Sequence, residues 1–155
     1  MRWIVLAVTH GFMLAAGFAL GIYLLPIITA PPSPDQAMLE ESAASALYTA
    51  EFSRDLSGSD FLHWGEGTVS VAAERITHRG SLAPGPDYKL YLVPEFVEDE
   101  AQFEAVRSQA IRIGDIKTFD GFLVDVPPAV DIEAFTTVLV WCETFGEFIS
   151  AARYR

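Results

Sequence analysis

The chain has 155 residues, enough for one domain and an appendage, and 21 acidic side chains against ten basic ones give it a formal charge of −11. Nucleic acid is excluded as a partner, because binding it requires a basic patch. A single cysteine, Cys142, excludes an internal disulfide and a multi-cysteine zinc or iron–sulfur site.

The appendage comes first. No Asp, Glu, Lys or Arg occurs from Trp3 to Pro34, and the run from Trp3 to Ile28 is almost wholly apolar. A hydrocarbon core of ~30 Å needs about 20 apolar residues in helical form, so residues 3–29 predict a transmembrane helix. The run exceeds the 7–15-residue apolar core typical of a signal peptide, and Ile28-Thr29-Ala30 has a large residue where a cleavage site prefers a small one. An uncleaved signal anchor is therefore favoured, with a cleaved signal as the alternative. Arg2 precedes the span and the next basic residue is Arg54, so basic-residue asymmetry puts the amino end in the cytoplasm and the rest outside. Beyond the span lie nine basic and all 21 acidic residues, a formal −12. There is no asparagine to glycosylate, and arginines outnumber lysines eight to two. The expected location is a bacterial inner membrane, crossed once, with the C-terminal domain in the periplasm. Gly17 and Gly21, flanked by Ala15 and Ala19 at the same spacing, would let two helices approach closely, so a weak homodimer through this face is an expectation. His10 is a polar residue near one end of the span, where it is tolerated.

Residues 30–55 read as a proline exit and a stalk. Ala30-Pro31-Pro32-Ser33-Pro34 favours an extended path. Ser33 with Gln36 three residues later, and Pro34 between them, predicts a helix start. Leu39, Ala43, Ala46, Leu47 and Ala50 then recur at helical spacing, predicting an amphipathic helix over Asp35–Phe52 that rests on the domain or on a partner.

Residues 56–155 read as a mainly β domain. Val69, Val71 and Ala73 alternate with Ser70 and Ala72, and Tyr88, Leu90 and Leu92 share one face after the turn Pro84-Gly85-Pro86-Asp87. Ile111 and Ile113 alternate until Gly114-Asp115 breaks the run. Phe122, Val124 and Val126 alternate until Pro127-Pro128. Glu98–Arg107 predicts a short helix, acidic in its first turn and basic in its last. The run Thr136–Glu143 is apolar on both faces, with Val138, Val140 and Cys142 pointing one way and Leu139 and Trp141 the other. Such a strand is a central one, covered on each side. The predicted architecture is an antiparallel β-sandwich or barrel-like domain behind a single transmembrane helix and a short stalk helix.

Chemistry-bearing patterns are few. Phosphate-cradling glycine loops, Cys-x-x-Cys-His and His-Glu-x-x-His are all missing. Asp115, Asp120 and Asp125 lack the spacing of a calcium loop, so no metal site is assigned to them. His63 and His78 flank the first strands and could meet across a hairpin, where two imidazoles and the Cys142 thiolate would in principle ligate copper or a haem iron. Histidines at strand ends are commonly surface residues. No Ser-His-Asp set singles itself out, and whether the chain is an enzyme stays open. Cys142 is the candidate site residue. Either it is a redox thiol or ligand, or it packs as a small hydrophobe.

Taken in order, Gly58-x-x-Phe61, Gly67-Thr68-Val69, Gly85-Pro86-Asp87-Tyr88-Lys89-Leu90-Tyr91-Leu92, Gly114-Asp115-Ile116-Lys117 with Phe119 and Gly121-Phe122, Pro127, Val130-Asp131-Ile132, and Thr137–Glu143 with Phe145, Phe148 and Ala151 resemble the DM-thirteen electron-transfer domain. The resemblance covers about Leu56 to Tyr154, and its specific parts are the Gly-Pro-Asp turn with its strand and the Trp-Cys strand. It implies a β-rich extracytoplasmic module with a redox role, in which the cysteine matching Cys142 is a bare thiol or a ligand to a prosthetic group of unknown kind. The acidic stretch Glu95–Glu104 is longer than the family pattern needs. An electron donor or acceptor, such as a redox partner protein, is expected from another molecule. The alternative function is a non-catalytic binding or structural module with Cys142 in its core.

Overall fold

The computed structural model describes residues Met1–Arg155. The apolar run forms one 28-residue helix, α1 (Arg2–Thr29), with Pro26 in its last turns. It is long and apolar enough to cross a membrane, and none of its residues is buried by the rest of the chain. By length and composition such a helix suits a membrane anchor or a signal sequence.

The stalk helix is shorter than its alanine spacing predicts. α2 covers Gln36–Ala43, and Asp35 rather than Ser33 caps it by accepting the Met38 N–H at 2.8 Å. Leu39 is its one buried residue, and Ser42 Oγ lies 2.8 Å from Thr77 Oγ1, so the helix rests on the domain. From Tyr48 the chain extends into β1 (Tyr48–Phe52), antiparallel to β2 (Gly65–Val71). Tyr48 and Ala50 pack on the core and Phe52 enters it, so sheet pairing and packing override a weak helical propensity.

The domain is a sandwich of two four-stranded sheets in which all recorded strand pairs are antiparallel. One sheet has the order β1-β2-β3-β6, with β3 at Arg75–Leu82 and β6 at Phe122–Asp125. The other is β5-β4-β7-β8, with β4 at Tyr88–Val93, β5 at Ile111–Ile116, β7 at Thr137–Cys142 and β8 at Glu147–Arg153. Gly114-Asp115 does not end β5. The strand continues to Ile116 past a register shift opposite Leu90 and Tyr91. Gly114 is needed there because a Cβ would come within 2.7 Å of Val124 Cγ1 on the facing sheet.

Two apolar clusters enclose β7. Val138, Val140 and Cys142 face the other sheet, among Val69, Ile76, Leu90 and Phe122. Leu139 and Trp141 face outward onto Phe103 and Val106 of α3 (Glu100–Val106), a helix capped by Asp99. All six residues of β7 are buried. The two-faced apolarity read from the sequence therefore has its cause: a sheet lies on one side and a helix on the other.

Candidate functional site

Cys142 is the last residue of β7 and is 2% exposed. Two turns close around its sulfur. After Cys142 the chain reverses through Glu143–Gly146, with Gly146 at φ +69 and its N–H bonded to the Cys142 carbonyl at 2.9 Å. A left-handed φ at that point suits glycine alone among common residues. Alongside runs the turn Pro84–Asp87 that leads into β4. It is tied to the first turn by Glu143 N–H donating to the Asp87 carbonyl at 3.0 Å and by Thr144 Oγ1 donating to Asp87 Oδ2 at 3.3 Å. Tyr88 pairs with Cys142 across the β4–β7 ladder. The Gly-Pro-Asp turn and the Trp-Cys strand, more than 50 residues apart in sequence, thus meet at one sulfur.

The electrostatics at the sulfur are opposed. Burial, with the Asp87 charge adding to it, pushes the Cys142 thiol up from its ordinary value, while the nearby backbone of Phe145, Asp87 and Thr144 pulls it down. Burial wins, so the resting sulfur is protonated at neutral pH.

The sulfur lies in the wall of a cavity of about 430 Å³. Leu62, His63, Pro84, Pro86, Tyr88, Phe145 and Ile149 line it from the domain, and Ala19, Ile22 and Tyr23 close it from α1. This size and mostly apolar lining match a small-molecule site. Tyr88 is 2% exposed, and burial raises its phenol pKa, so it stays neutral. Gly85 is fixed by Tyr88, since a Cβ at Gly85 would come within 2.3 Å of the phenol oxygen.

Only one of the two histidines reaches the cavity. His63 lines it, with Nδ1 3.1 Å from Asp60 Oδ2, while Asp60 also accepts the Leu62 and His63 N–H groups at 2.7 Å. His78 is sealed in the core between Phe52 and Phe122, its Nε2–H donating to the Glu66 carbonyl at 3.0 Å. A hairpin meeting of two imidazoles at the thiol is therefore not what forms, because the His78 ring points into the sandwich. No group of three or more His, Cys, Asp or Glu residues gathers as a metal-ligating set. Asp115 pairs with Lys89 and Arg112, Asp125 pairs with Arg75, and Asp120 is exposed in a turn. Gly17 and Gly21 border the groove between α1 and the loop residues Pro86, Thr144 and Phe145.

A polar cluster that the sequence did not announce holds the back of the site. Tyr91 donates to Glu143, which also accepts from Arg107 Nη2 at 2.6 Å. The Arg107 guanidinium lies 5.5 Å from the Trp141 ring centre and 5.8 Å from that of Phe103. The cluster anchors the residue after Cys142 from the far face of the sheet. Arg107 and Glu143 are 36 positions apart, so nothing local in the sequence joins them.

Comparison with known proteins agrees with this construction. No curated protein and no solved structure matches the chain. The family model described as electron transfer DM13 matches residues 52–154, from the end of β1 to just past β8. That match takes in both turns around Cys142 and the whole cavity wall on the domain side, and the chain belongs to the electron transfer DM13 family.

Proposed function

We propose that this protein is a single-pass inner-membrane protein whose DM13 domain works in the periplasm as an electron-transfer module, with the Cys142 sulfur as its working atom. The observation that carries the reading is the setting of Cys142: it ends β7 where the Pro84–Asp87 and Glu143–Gly146 turns are bonded together, on the wall of a mostly apolar cavity. Burial keeps the free thiol protonated, which disfavours an ordinary attacking thiolate. An apolar site that excludes water suits a sulfur that has given up its proton to a soft, sulfur-seeking redox group.

The residues present fit such a group. Cys142 would ligate it, and Tyr88, Ile149 and Phe145 would pack on it. When bound, the group would supply one-electron chemistry that no side chain in the cavity offers. The chain's own part is to hold the sulfur, exclude water and keep Tyr88 neutral. The electron donor or acceptor is a separate redox partner.

The 2% exposure of Cys142 favours a second reading, in which the domain is a binding or structural module and the thiol is packing. Absorption spectra of the full chain, purified in mild detergent from its native membranes, separate the two. The electron-transfer reading expects a visible chromophore that Cys142→Ser loses while the circular dichroism stays unchanged. No visible absorbance in the unaltered protein would leave the second reading in place. The location is tested separately. Carbonate-washed membranes should retain the intact chain, and release of a fragment starting near Pro31 would show a cleaved signal.

A further inference from the structure

The end of the sandwich that carries Cys142 presents three exposed apolar side chains. Phe61 is 86% exposed, Phe145 51% and Leu62 40%, on the loop before β2 and the β7–β8 turn. Leu62 and Phe145 line the same cavity and Phe61 directly precedes Leu62, and exposed apolar side chains so placed mark an interaction surface. Their position relative to α1 says which one.

Trp3 and Tyr23 are the aromatic residues at the two ends of the apolar run that favour a membrane–water interface, and 20 residues separate them. At 1.5 Å per residue that is ~30 Å, the thickness of a hydrocarbon core. If these two rings mark the interfaces, Leu24–Thr29 rises out of the hydrocarbon toward the domain. Phe145 shares a groove with α1 residues from Gly17 to Thr29, which straddle Tyr23. Leu62 shares the Cys142 cavity with Ala19, Ile22 and Tyr23. The exposed rim is thus level with the interfacial tyrosine, and α1 holds it there through the covalent chain. The residues beyond the span carry a formal −12, so attraction to an anionic surface does not draw the domain down, and the apolar rim is the part of it that favours contact with lipid.

We infer that the Phe61, Leu62 and Phe145 rim is seated in the outer interfacial layer of the membrane that α1 crosses, so that the Cys142 cavity opens onto lipid and receives an apolar ligand from the bilayer side. The inference rests on α1 being an anchor, but not on Cys142 being redox-active. Insertion of 5–10 Å into the boundary between headgroups and acyl chains is the ordinary depth for such a surface.

The test uses the full chain in vesicles of phosphatidylethanolamine and phosphatidylglycerol, doped with a lipid bearing a nitroxide high on its acyl chain. In a Cys142→Ser background, an environment-sensitive fluorophore is attached at Phe145→Cys or Phe61→Cys, and at Ala129→Cys as a control. Ala129 is exposed in the connection between β6 and β7, at the opposite end of the sandwich. The rim labels should emit blue-shifted light and lose most of their intensity to the nitroxide, while the control does neither. A water-like, unquenched rim label would overturn the inference and leave the domain standing clear of the bilayer. A blue-shifted but unquenched label would overturn it in favour of a second copy, or another protein, covering the rim. Two independent label sites guard against one variant misfolding. Failure of the anchor itself appears as loss of the chain from carbonate-washed vesicles, and the chromophore reading is tested apart from both.

Discussion

His78 should give the protein a stability limb between pH 6.5 and 4. The ring is 0% exposed and packs at a tilt between Phe52 and Phe122, with centroid separations of 5.2 and 5.0 Å. Its Nε2–H is used on the Glu66 carbonyl, so the neutral ring carries a bare Nδ1, and that atom has no partner. Protonation would place a charge and an unmatched N–H in the core. Burial accordingly lowers the pKa from 6.5 to about 4, with the Glu66 carbonyl and the Glu51 charge opposing it only in part. Between those two values the unfolded chain binds a proton and the folded chain does not, so stability falls as pH falls. A gap of about 2.5 pH units corresponds to about 3 kcal/mol lost between pH 7 and 4, a large share of the 5–15 kcal/mol typical of a domain. Carboxylates held below their ordinary range, such as Asp115 beside Arg112 and Lys89, act only at still lower pH. Urea unfolding of the full chain in non-ionic micelles, followed by near-ultraviolet circular dichroism at several pH values, reads the limb directly. His78→Gln keeps a donor for Glu66 but cannot titrate; it should be less stable at pH 7 and nearly flat between pH 7 and 4.5. A flat profile in the unaltered protein, or an unchanged slope in His78→Gln, would refute the reasoning.

Leu39→Ala should cost about 2–5 kcal/mol, because the side chain is fully buried between α2 and the sheet; the midpoint of urea unfolding reads this. Gly85→Ala should push Tyr88 off its site and cost about 1–3 kcal/mol, with a change in tyrosine near-ultraviolet signal that Ala129→Gly does not produce. At the alkaline end the Cys142 thiol lies above its ordinary 9.0, so the unfolded chain loses that proton first and stability falls as pH rises past 9; Cys142→Ala should remove this early part of the alkaline loss.

Much of the fold was legible because period-2 alternation survives where one face is buried. β4, β6 and β7 were read this way, and β7 even to its two faces. β1, β3 and β8 were not. β1 carries alanines at helical spacing and is a strand only because β2 pairs with it. β3, Arg75-Ile-Thr-His-Arg-Gly-Ser-Leu82, fills an inward position with His78, a residue that sequence reading assigns to surfaces. β8 is rich in small residues and buries Ser150, Ala151 and Ala152, whose types carry no strand signal. At the site, Cys142 was legible as the lone thiol at a strand end. The joining of the Pro84–Asp87 and Glu143–Gly146 turns beside it was not, because it is made through the backbone, which leaves no trace in residue type. Nor was the approach of His63, which depends on how the loop before β2 folds back across the sandwich.

On the electron-transfer reading, the Cys142 sulfur exchanges its proton for a soft Lewis acid inside the apolar cavity. Titration of the native full chain in vesicles with phenylmercury, a small, apolar, sulfur-seeking Lewis acid, tests this most directly. The account predicts one equivalent bound per chain without denaturant, one proton released, and none bound by Cys142→Ser. Binding that begins only after urea unfolds the domain would contradict it and make Cys142 a core residue.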